Sequence, residues 1–258
     1  MIIESKKNKI IKDTASLLSK KGRNVENAFI LEGSEFVLNI PETVKLKYFL
    51  ISESFANKNN LEPYEKRGRV FIATDEIFIK CSDTVNSKGV IAVCSKFNFT
   101  VEDVTKKENP IILICDEIQD PGNLGTIIRT SDAANISGVI LTKGCCDLYN
   151  TKTLRSTAGS IFSLPIVENM CKNELINNIK DRNIKLVSTY LNCDDYYFDI
   201  DLRCAMALVV GNEGNGISEE FINKSDKLIK IPMFGSCQSL NVAMSTGIVL
   251  YEVLRQRR

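Results

Sequence analysis

The strongest constraint on the fold is a series of six short apolar segments in the second half of the chain, separated by polar or amphipathic stretches. The first, Ile-Ile-Leu-Ile-Cys-Asp at 111–116, is apolar almost throughout, as expected for a strand buried on both faces. Further strands are predicted at 138–141, 163–168, 185–191, 206–211 and 227–233. Helices are predicted at 124–135, 151–159, 172–182, 218–223 and 239–255. This α/β alternation predicts a doubly wound parallel sheet, in which ligands bind beyond the carboxyl ends of the strands.

The first part of the chain also alternates short helices and strands. A basic helix is predicted over 6–21 and another near 34–39, with strands at 28–33, 47–52, 69–74 and 89–95. These elements predict a small three-layer α/β module. The following residues are polar and end in a proline, which is typical of a linker. The predicted domains are therefore 1–96 and 110–258, joined by a linker at 97–109.

The composition excludes several kinds of site. None of the 258 residues is histidine, which removes Ser-His-Asp and Cys-His catalysis and His-ligated metal sites. The nine cysteines, an odd number without a C-x-x-C pair, are typical of reduced thiols rather than of a disulfide framework or a zinc site. The N-terminus lacks the apolar core of a signal peptide, and no apolar run is long enough to span a membrane. We therefore expect a soluble, cytoplasmic protein.

The charges balance over the whole chain, 33 basic against 32 acidic, but they are unevenly distributed. Residues 1–108 hold 18 basic and 15 acidic side chains, whereas residues 109–258 hold 15 and 17. The segment 1–25 can bind RNA phosphates, or it can be the solvated face of an amphipathic helix. Its basic residues are Lys6, Lys7, Lys9, Lys12, Lys20, Lys21 and Arg23.

Three segments that follow predicted strands carry candidate functional residues. The first contains Asn123 and Arg129, near two glycines that allow close backbone approach. Arg129 is nearly two turns into the predicted helix among apolar neighbours, where a charge needs a partner or a function. An ion pair with Asp132 or Asp116 is the structural alternative.

The second segment, Leu-Val-Val-Gly-Asn-Glu-Gly-Asn-Gly-Ile-Ser at 208–218, holds three glycines within six residues. No G-K-[ST] follows, which excludes a Walker loop, and the glycine spacing differs from the G-x-G-x-x-G fingerprint of dinucleotide-binding sheets. Glu213 places a carboxylate among the loop amides at the strand end. The alternative is a glycine-rich turn in which Glu213 is simply solvated.

The third segment, 231–257, leads into the predicted C-terminal helix. Ser239 is the predicted cap of this helix, and Asn241 is predicted within its first turn. Taken alone, the segment is typical of a capped helix with a tightly packing face. The residues of that face are Ala243, Met244, Gly247 and Ile248.

The order and spacing of the three segments are more specific than any one of them. N-x-G-x-x-x-R at 123–129, G-N-E-G-x-G at 211–216 and I-P-M-x-G-S-x-x-S-L-N-V-A at 231–243 resemble the three signature motifs of the SpoU (TrmH-like) family of SPOUT methyltransferases. The resemblance covers about 110 to 258. More weakly, AFILEG at 28–33 and SDTVNSKGVIAV at 82–93 resemble the ribosomal-protein-like substrate-binding domain of many members.

This resemblance implies an enzyme that transfers a methyl group from S-adenosylmethionine to a ribose 2′-hydroxyl of ribosomal or transfer RNA, without a metal. It also implies a C-terminal domain threaded as a trefoil knot, a rare exception to the rule against knotted chains. The loops at 208–218 and 231–241 would form the knot and the cofactor pocket. The implied cofactor-binding residues are Thr189, Gly211, Ile231 and Leu240.

The implied catalytic residues are Asn123, Arg129, Glu213, Ser239 and Asn241. In the family, the arginine of the first motif is proposed to activate the hydroxyl. Because an arginine with a pKa above about 12 is a reluctant base, Arg129 has an alternative role: binding phosphate and stabilising the developing alkoxide. Asn123 and Asn241 would orient the ribose and Arg129, and Glu213 would hold the arginine or the cofactor.

The resemblance also implies a homodimer, with the helix at 239–255 in the interface. The separate N-terminal domain favours ribosomal RNA, in particular 23S, over transfer RNA. Two other hypotheses are a non-catalytic RNA-binding scaffold and a nucleotide-dependent oxidoreductase on an ordinary Rossmann sheet. The complete set of candidate catalytic residues argues against the first, and the glycine spacing argues against the second.

Overall fold

Two separate β-sheets organise the computed structural model, which describes residues 2–84 and 88–258. They belong to two compact units. The first unit runs to Phe97 and includes Tyr149–Leu154, and the second comprises Asn98–Leu148 and Arg155–Arg258. Within the described residues, no helix is both long and apolar enough to cross a membrane.

The first unit contains a mixed five-stranded sheet in the order β1-β4-β3-β5-β2. β1, β4 and β3 are parallel, whereas β5 is antiparallel to both β3 and β2. The strands are β1 (Ile2–Ile3), β2 (Ala28–Glu32), β3 (Leu46–Ser52), β4 (Val70–Ala73) and β5 (Val90–Ser95). The helices are α1 (Lys9–Ser16), α2 (Lys20–Glu26), α3 (Ser34–Leu38), α4 (Glu53–Lys58), α5 (Glu62–Glu65) and α6 (Asp75–Phe78), followed by a 3-10 turn at Ile79–Cys81.

The four strands predicted in this part of the chain are confirmed, and the two-residue edge strand β1 is the one that the pattern did not indicate. Such a short strand offers no periodicity to recognise. Of the segment SDTVNSKGVIAV, residues 85–87 lie outside the described residues.

The single basic helix predicted over 6–21 is wrong, because the chain turns after Ser16 and begins a second helix. The Ser19 hydroxyl caps α2 by accepting a hydrogen bond from the Gly22 amide at 3.0 Å. A Cβ on Gly22 would lie 2.0 Å from the Ser16 carbonyl oxygen, so only glycine allows this close approach. The Arg23 guanidinium donates to the carbonyl oxygens of Leu17 and Leu18 and is buried. Arg23 therefore belongs to the helix turn rather than to a basic surface.

Tyr149 explains why a segment far along the chain belongs to the first unit. Its ring centroid lies 4.7 Å from that of Phe29 on β2, and its hydroxyl accepts a hydrogen bond from the Phe97 amide at 3.0 Å. The Tyr149 side chain is fully buried. A contact this distant in sequence is invisible to local patterning.

The second unit contains a six-stranded sheet, entirely parallel, in the order β11-β9-β10-β6-β7-β8. Its strands are β6 (Ile111–Asp116), β7 (Gly138–Thr142), β8 (Ile166–Met170), β9 (Lys185–Thr189), β10 (Met206–Gly211) and β11 (Lys227–Ile229). The helices are α7 (Val101–Thr105), α8 (Pro121–Ala133), α10 (Lys172–Lys180), α11 (Glu219–Lys224) and α12 (Val242–Gln256), with a 3-10 turn at Ser160–Phe162. The short helix α9 (Thr151–Ser156) begins in the first unit and ends in the second.

The predicted parallel sheet of six strands is confirmed, although some strand ends differ. β8 begins only after Pro165, and β11 ends before Pro232, because proline has no amide to give to the ladder. Residues 97–109, predicted as a linker, contain α7, and Val104 of that helix is buried in the core of the second unit.

Both helices that flank the candidate site begin at a different residue from the one predicted. α8 begins at Pro121 instead of 124, because Asp120 caps it by accepting from the Asn123 amide at 2.8 Å. α12 begins at Val242, and its cap is Asn241 rather than Ser239. The Asn241 side chain accepts hydrogen bonds from the amides of Ala243 and Met244, at 2.9 and 3.4 Å. These starts place Asn123 in a first turn and Asn241 at a helix entrance.

Candidate active site

A cleft of about 590 Å³ lies where β9, β10 and β11 end. This is the carboxyl edge of the sheet, where ligands bind in parallel α/β domains, and the volume falls in the range of roughly 300–1,000 Å³ typical of small-molecule sites. Seven of the residues predicted from the sequence line it together. They are Thr189, Gly211, Glu213, Ile231, Ser239, Leu240 and Asn241.

The loop after β10 folds back tightly on itself and forms one wall of the cleft. Asn212 and Gly216 exchange two backbone hydrogen bonds, at 2.8 and 2.9 Å. A Cβ on Gly211 would lie 2.2 Å from the Gly216 carbonyl carbon and 2.3 Å from the Ile217 nitrogen. Glycine at this position is therefore required by the close approach of two backbone segments.

The side chain of Asn212 fixes this loop, a role that the sequence analysis missed. Its Oδ1 accepts from the amides of Gly214 and Asn215, at 2.8 and 3.1 Å, and its Nδ2 donates to the Glu117 carbonyl at 2.8 Å. Asparagine next to glycine is a familiar turn residue, since its side chain can bind amides two residues ahead. That signal was present in the motif.

Glu213 is held by hydrogen bonds from a different segment of the chain. Its carboxylate accepts from the amides of Gln119 and Asp120, at 3.2 and 3.3 Å, and from Asn123 Nδ2 at 2.9 Å. Asn123 Oδ1 in turn accepts from Asn241 Nδ2 at 2.9 Å. A continuous path of hydrogen bonds therefore joins Glu213, Asn123 and Asn241, one residue from each of the three segments.

These contacts set the charge state of Glu213. Partial burial raises the pKa of its carboxyl, but the hydrogen bonds from Asn123 and from the backbone amides outweigh that effect and lower the pKa below its ordinary value of 4.5. A carboxyl whose pKa is depressed on folding contributes stability that is present above pH 4.5 and is lost as the pH falls through the folded-state pKa.

We expect Glu213→Gln to lower the free energy of unfolding at pH 7, because an amide cannot accept three hydrogen bonds as an ionised carboxylate does. The difference between the two proteins should shrink as the pH falls below 4.5, where the wild-type carboxyl becomes neutral as well. Denaturant unfolding of both proteins across pH 3.5–7 measures this difference. A gap that does not change with pH would contradict the assignment of the stabilising charge to Glu213.

Asp116, at the end of β6, supports the same region from inside and was not singled out as a site residue. Its carboxylate is 1% exposed. It accepts hydrogen bonds from the Ser218 amide at 2.7 Å and the Thr142 hydroxyl at 3.3 Å, and Lys172 Nζ lies 3.3 Å away. Asp116 thus connects Ser218, at the end of the glycine-rich loop that follows β10, to the central strands of the sheet. A buried carboxylate at the end of an apolar strand is the sequence signal that could have identified it.

The remaining walls of the cleft are largely apolar. Val210, Ile229, Ile231 and Leu240 line it, together with the glycine-rich loop after β10. Thr189 lies at the end of β9, where its hydroxyl donates to the Val209 carbonyl at 3.1 Å. Apolar walls with a few polar groups suit the adenosine part of S-adenosylmethionine, the cofactor implied by the motifs.

Comparison with known proteins decides the family. Residues 110–251 match the profile of the SpoU rRNA methylase family, and residues 8–92 match that of an MRM3-like substrate binding domain. The chain belongs to the SpoU rRNA methylase family.

Its relatives in the SpoU family span the whole chain. It is 34% identical to the 23S rRNA (guanosine(2553)-2′-O)-methyltransferase RlmP of Bacillus subtilis, over 97% of this chain and 98% of that protein. It is 30% identical to the 23S rRNA (guanosine-2′-O-)-methyltransferase RlmB of Salmonella typhi, over 94% and 95% of the two chains. Its fold is similar to that of the SpoU methyltransferase AviRb from Streptomyces viridochromogenes in complex with AdoMet, with a TM-score of 0.87, 26% identity and coverage of 97% and 98%.

Within this SpoU domain, Arg129 stands apart from the other candidate residues. It lies on α8 and is exposed, and its side chain makes no ion pair or hydrogen bond with any residue of the described ranges. The alternative ion pair with Asp132 or Asp116 is not formed, and Asp116 is instead bonded to Lys172. Arg129 is absent from the lining of the cleft in the single chain. Its guanidinium is therefore available to an external group.

Proposed function

We propose that the chain transfers a methyl group from S-adenosylmethionine to a ribose 2′-hydroxyl of 23S ribosomal RNA. The observation that carries this proposal is the hydrogen-bonded path through Glu213, Asn123 and Asn241 at the mouth of the cleft. A path that joins three segments so distant in sequence gives the site one defined geometry. The names of the relatives RlmP and RlmB, both 23S rRNA 2′-O-methyltransferases, support the same substrate.

Different residues of the site have different roles in the transfer. Bound S-adenosylmethionine supplies a methyl group on a positively charged sulfur, which makes that methyl electrophilic. Thr189, Gly211, Ile231 and Leu240 hold the cofactor in the cleft. The apolar walls exclude water, and the rigid glycine loop fixes the position of Glu213, so that binding and orientation are established before the RNA arrives.

The ribose hydroxyl is a poor nucleophile. As its oxygen bonds to the methyl carbon, the carbon–sulfur bond breaks to leave S-adenosylhomocysteine, and the hydroxyl proton passes to solvent. Asn123 and Asn241, which are hydrogen-bonded to each other, orient the ribose. Ser239, in the loop that leads to Asn241, offers a hydroxyl for hydrogen bonding. Because an arginine with a pKa above about 12 gives up its proton reluctantly, Arg129 serves as a fixed positive charge rather than as a base. It does not line the cleft of its own chain, so it would act in the site of a second copy, where it binds the neighbouring phosphate and stabilises the negative charge that develops on the attacking oxygen.

The experiment that tests the substrate is methyl transfer from labelled S-adenosylmethionine to unmodified 23S ribosomal RNA, with bulk transfer RNA as the comparison. We expect label in the 23S RNA. Label in transfer RNA alone would contradict the choice of substrate, and binding of both cofactor and RNA without transfer would favour a non-catalytic scaffold.

We also propose that the first unit binds the RNA. Its exposed lysines at the start of the chain support this role, since lysine neutralises phosphate without reading sequence. They are Lys6, Lys7, Lys9, Lys12, Lys20 and Lys21. Membership of the SpoU family further supports a trefoil knot formed by the loops at 208–218 and 231–241, and a protein that acts in the cytoplasm.

The working unit we propose is a homodimer. Met244 and Tyr251 lie two turns apart on α12 and are exposed in the single chain. A second copy would cover this apolar face and double the basic surface offered to RNA. Light scattering should give twice the chain mass of 28.9 kDa, and Met244→Arg should reduce it. A monomer mass for the wild-type protein would contradict the dimer.

A further inference from the structure

Phe234 has the most exposed large apolar side chain among the described residues, with 96% of its surface accessible. It lies in the loop between β11 and α12, and its neighbour Met233 lines the cleft. The same loop carries Ser239 and Asn241, to which the proposed function gives roles in catalysis. A single exposed apolar side chain needs no explanation of its own, but this ring adjoins Met233, which lines the cleft that the substrate must reach.

The loop around Phe234 is uncharged and open. Residues 231–241 contain no charged side chain, so the loop itself neither attracts nor repels phosphate. The ring is followed by small and polar residues, 235–239, all of them exposed. Open space adjoins Gly235, where an added Cβ would find no atom within 4 Å. Nothing in the described part of the chain blocks a planar group from approaching the ring.

A ribose that reaches the cleft brings its base, or a flanking base, to the rim. An enzyme that selects one nucleotide of an RNA targets single-stranded loops, bulges or ends, and the unstacked bases there stack on aromatic side chains. Such stacking tolerates any base, because every base has a π-face. We propose that Phe234 stacks on a base of the substrate RNA at the target nucleotide or the one beside it. This inference rests on the proposed function.

A second copy of the chain is a less suitable occupant. The exposed apolar residues of α12, Met244 and Tyr251, form a continuous helical face, as protein interfaces prefer. Phe234 is a single ring on a glycine-flanked loop, outside that helix. The Phe234 ring is therefore better suited to stacking on a base than to the core of a protein interface.

The test compares Phe234→Ala with Phe234→Trp in the full-length protein. The KM for methyl transfer is measured with 23S ribosomal RNA as the substrate. The affinity for the same RNA is measured in the presence of S-adenosylhomocysteine. We expect the alanine variant to lose RNA affinity about 5- to 150-fold, the range for loss of one stacked base, while tryptophan retains it. Cofactor affinity and dimer mass should not change. Because the side chain is exposed, neither variant should impair folding.

Phe198→Ala is the matched control, since that ring also lies in the second unit but is only 45% exposed and packs on Tyr196 and Tyr197. It should leave RNA affinity at the wild-type level. Equal RNA affinity for Phe234→Ala and wild type would overturn the stacking proposal while leaving the methylation intact. A monomer mass for Phe234→Ala would assign the ring to the dimer interface instead. A wild-type protein that bound no RNA would reject the proposed function together with the stacking.

Discussion

Replacing Arg129 with alanine should lower the rate of methyl transfer about 10²- to 10³-fold while leaving the affinity for S-adenosylmethionine within about twofold of wild type. The guanidinium is exposed and has no partner among the described residues, so its removal leaves no buried group unsatisfied. Loss of one preorganised group that stabilises developing negative charge lowers a rate constant by about 10² to 10³. Single-turnover methyl transfer with saturating RNA, together with calorimetric titration of the cofactor, measures both effects.

Two further variants make this result specific. Arg129→Lys keeps the charge but loses the planar fork, so it should recover part of the phosphate binding and little of the rate. Arg182→Ala removes another arginine of the second unit, one that pairs with exposed Glu102 at 3.2 Å, and it should behave as wild type. A fully active Arg129→Ala protein would remove this residue from the mechanism.

Replacing Gly211 with alanine should raise the Kd for S-adenosylmethionine at least about tenfold and lower stability by about 1–3 kcal/mol, the usual effect of overpacking. The new Cβ would meet backbone atoms of Gly216 and Ile217 at 2.2 and 2.3 Å, and backbone cannot swing aside as a long side chain can. The loop would have to open, and it carries Glu213 with it. Cofactor titration and thermal unfolding check the two parts separately.

Gly235→Ala is the matched control for this substitution. It adds the same methyl group to the other loop that borders the cleft, at a position where no atom lies within 4 Å. Its cofactor affinity and melting temperature should equal those of wild type. If Gly211→Ala bound the cofactor as tightly as Gly235→Ala does, the tight turn after β10 would not be part of the cofactor site.

The sheet of the second unit could be predicted from the sequence because each of its strands is a short apolar run. The first residues of α8 and α12 could not be predicted from the sequence. They depend on which of several nearby polar side chains accepts hydrogen bonds from the first amides of the helix. Asp120 and Asn241 take that role here, whereas Ser239 remains in the exposed loop. Such choices depend on the tertiary position of the chain entering the helix.

The sequence predicted which residues belong to the candidate site, but it did not predict which of them are hydrogen-bonded to one another. The motifs name Asn123, Glu213 and Asn241, yet the hydrogen bonds that join them span about ninety residues or more of sequence. Local patterns cannot supply such pairings. For the same reason the buried carboxylate of Asp116 and the docking of Tyr149 on Phe29 became apparent only in three dimensions.

The most direct test of the proposed function locates the transferred methyl group. Unmodified 23S ribosomal RNA is incubated with the protein and labelled S-adenosylmethionine, digested to nucleosides and analysed by mass spectrometry. We expect the label on the ribose of a single 2′-O-methylated nucleoside, formed about 10²- to 10³-fold more slowly with Arg129→Ala. A label on the base, or a ribose label that forms at the wild-type rate with Arg129→Ala, would contradict the chemistry derived from this site.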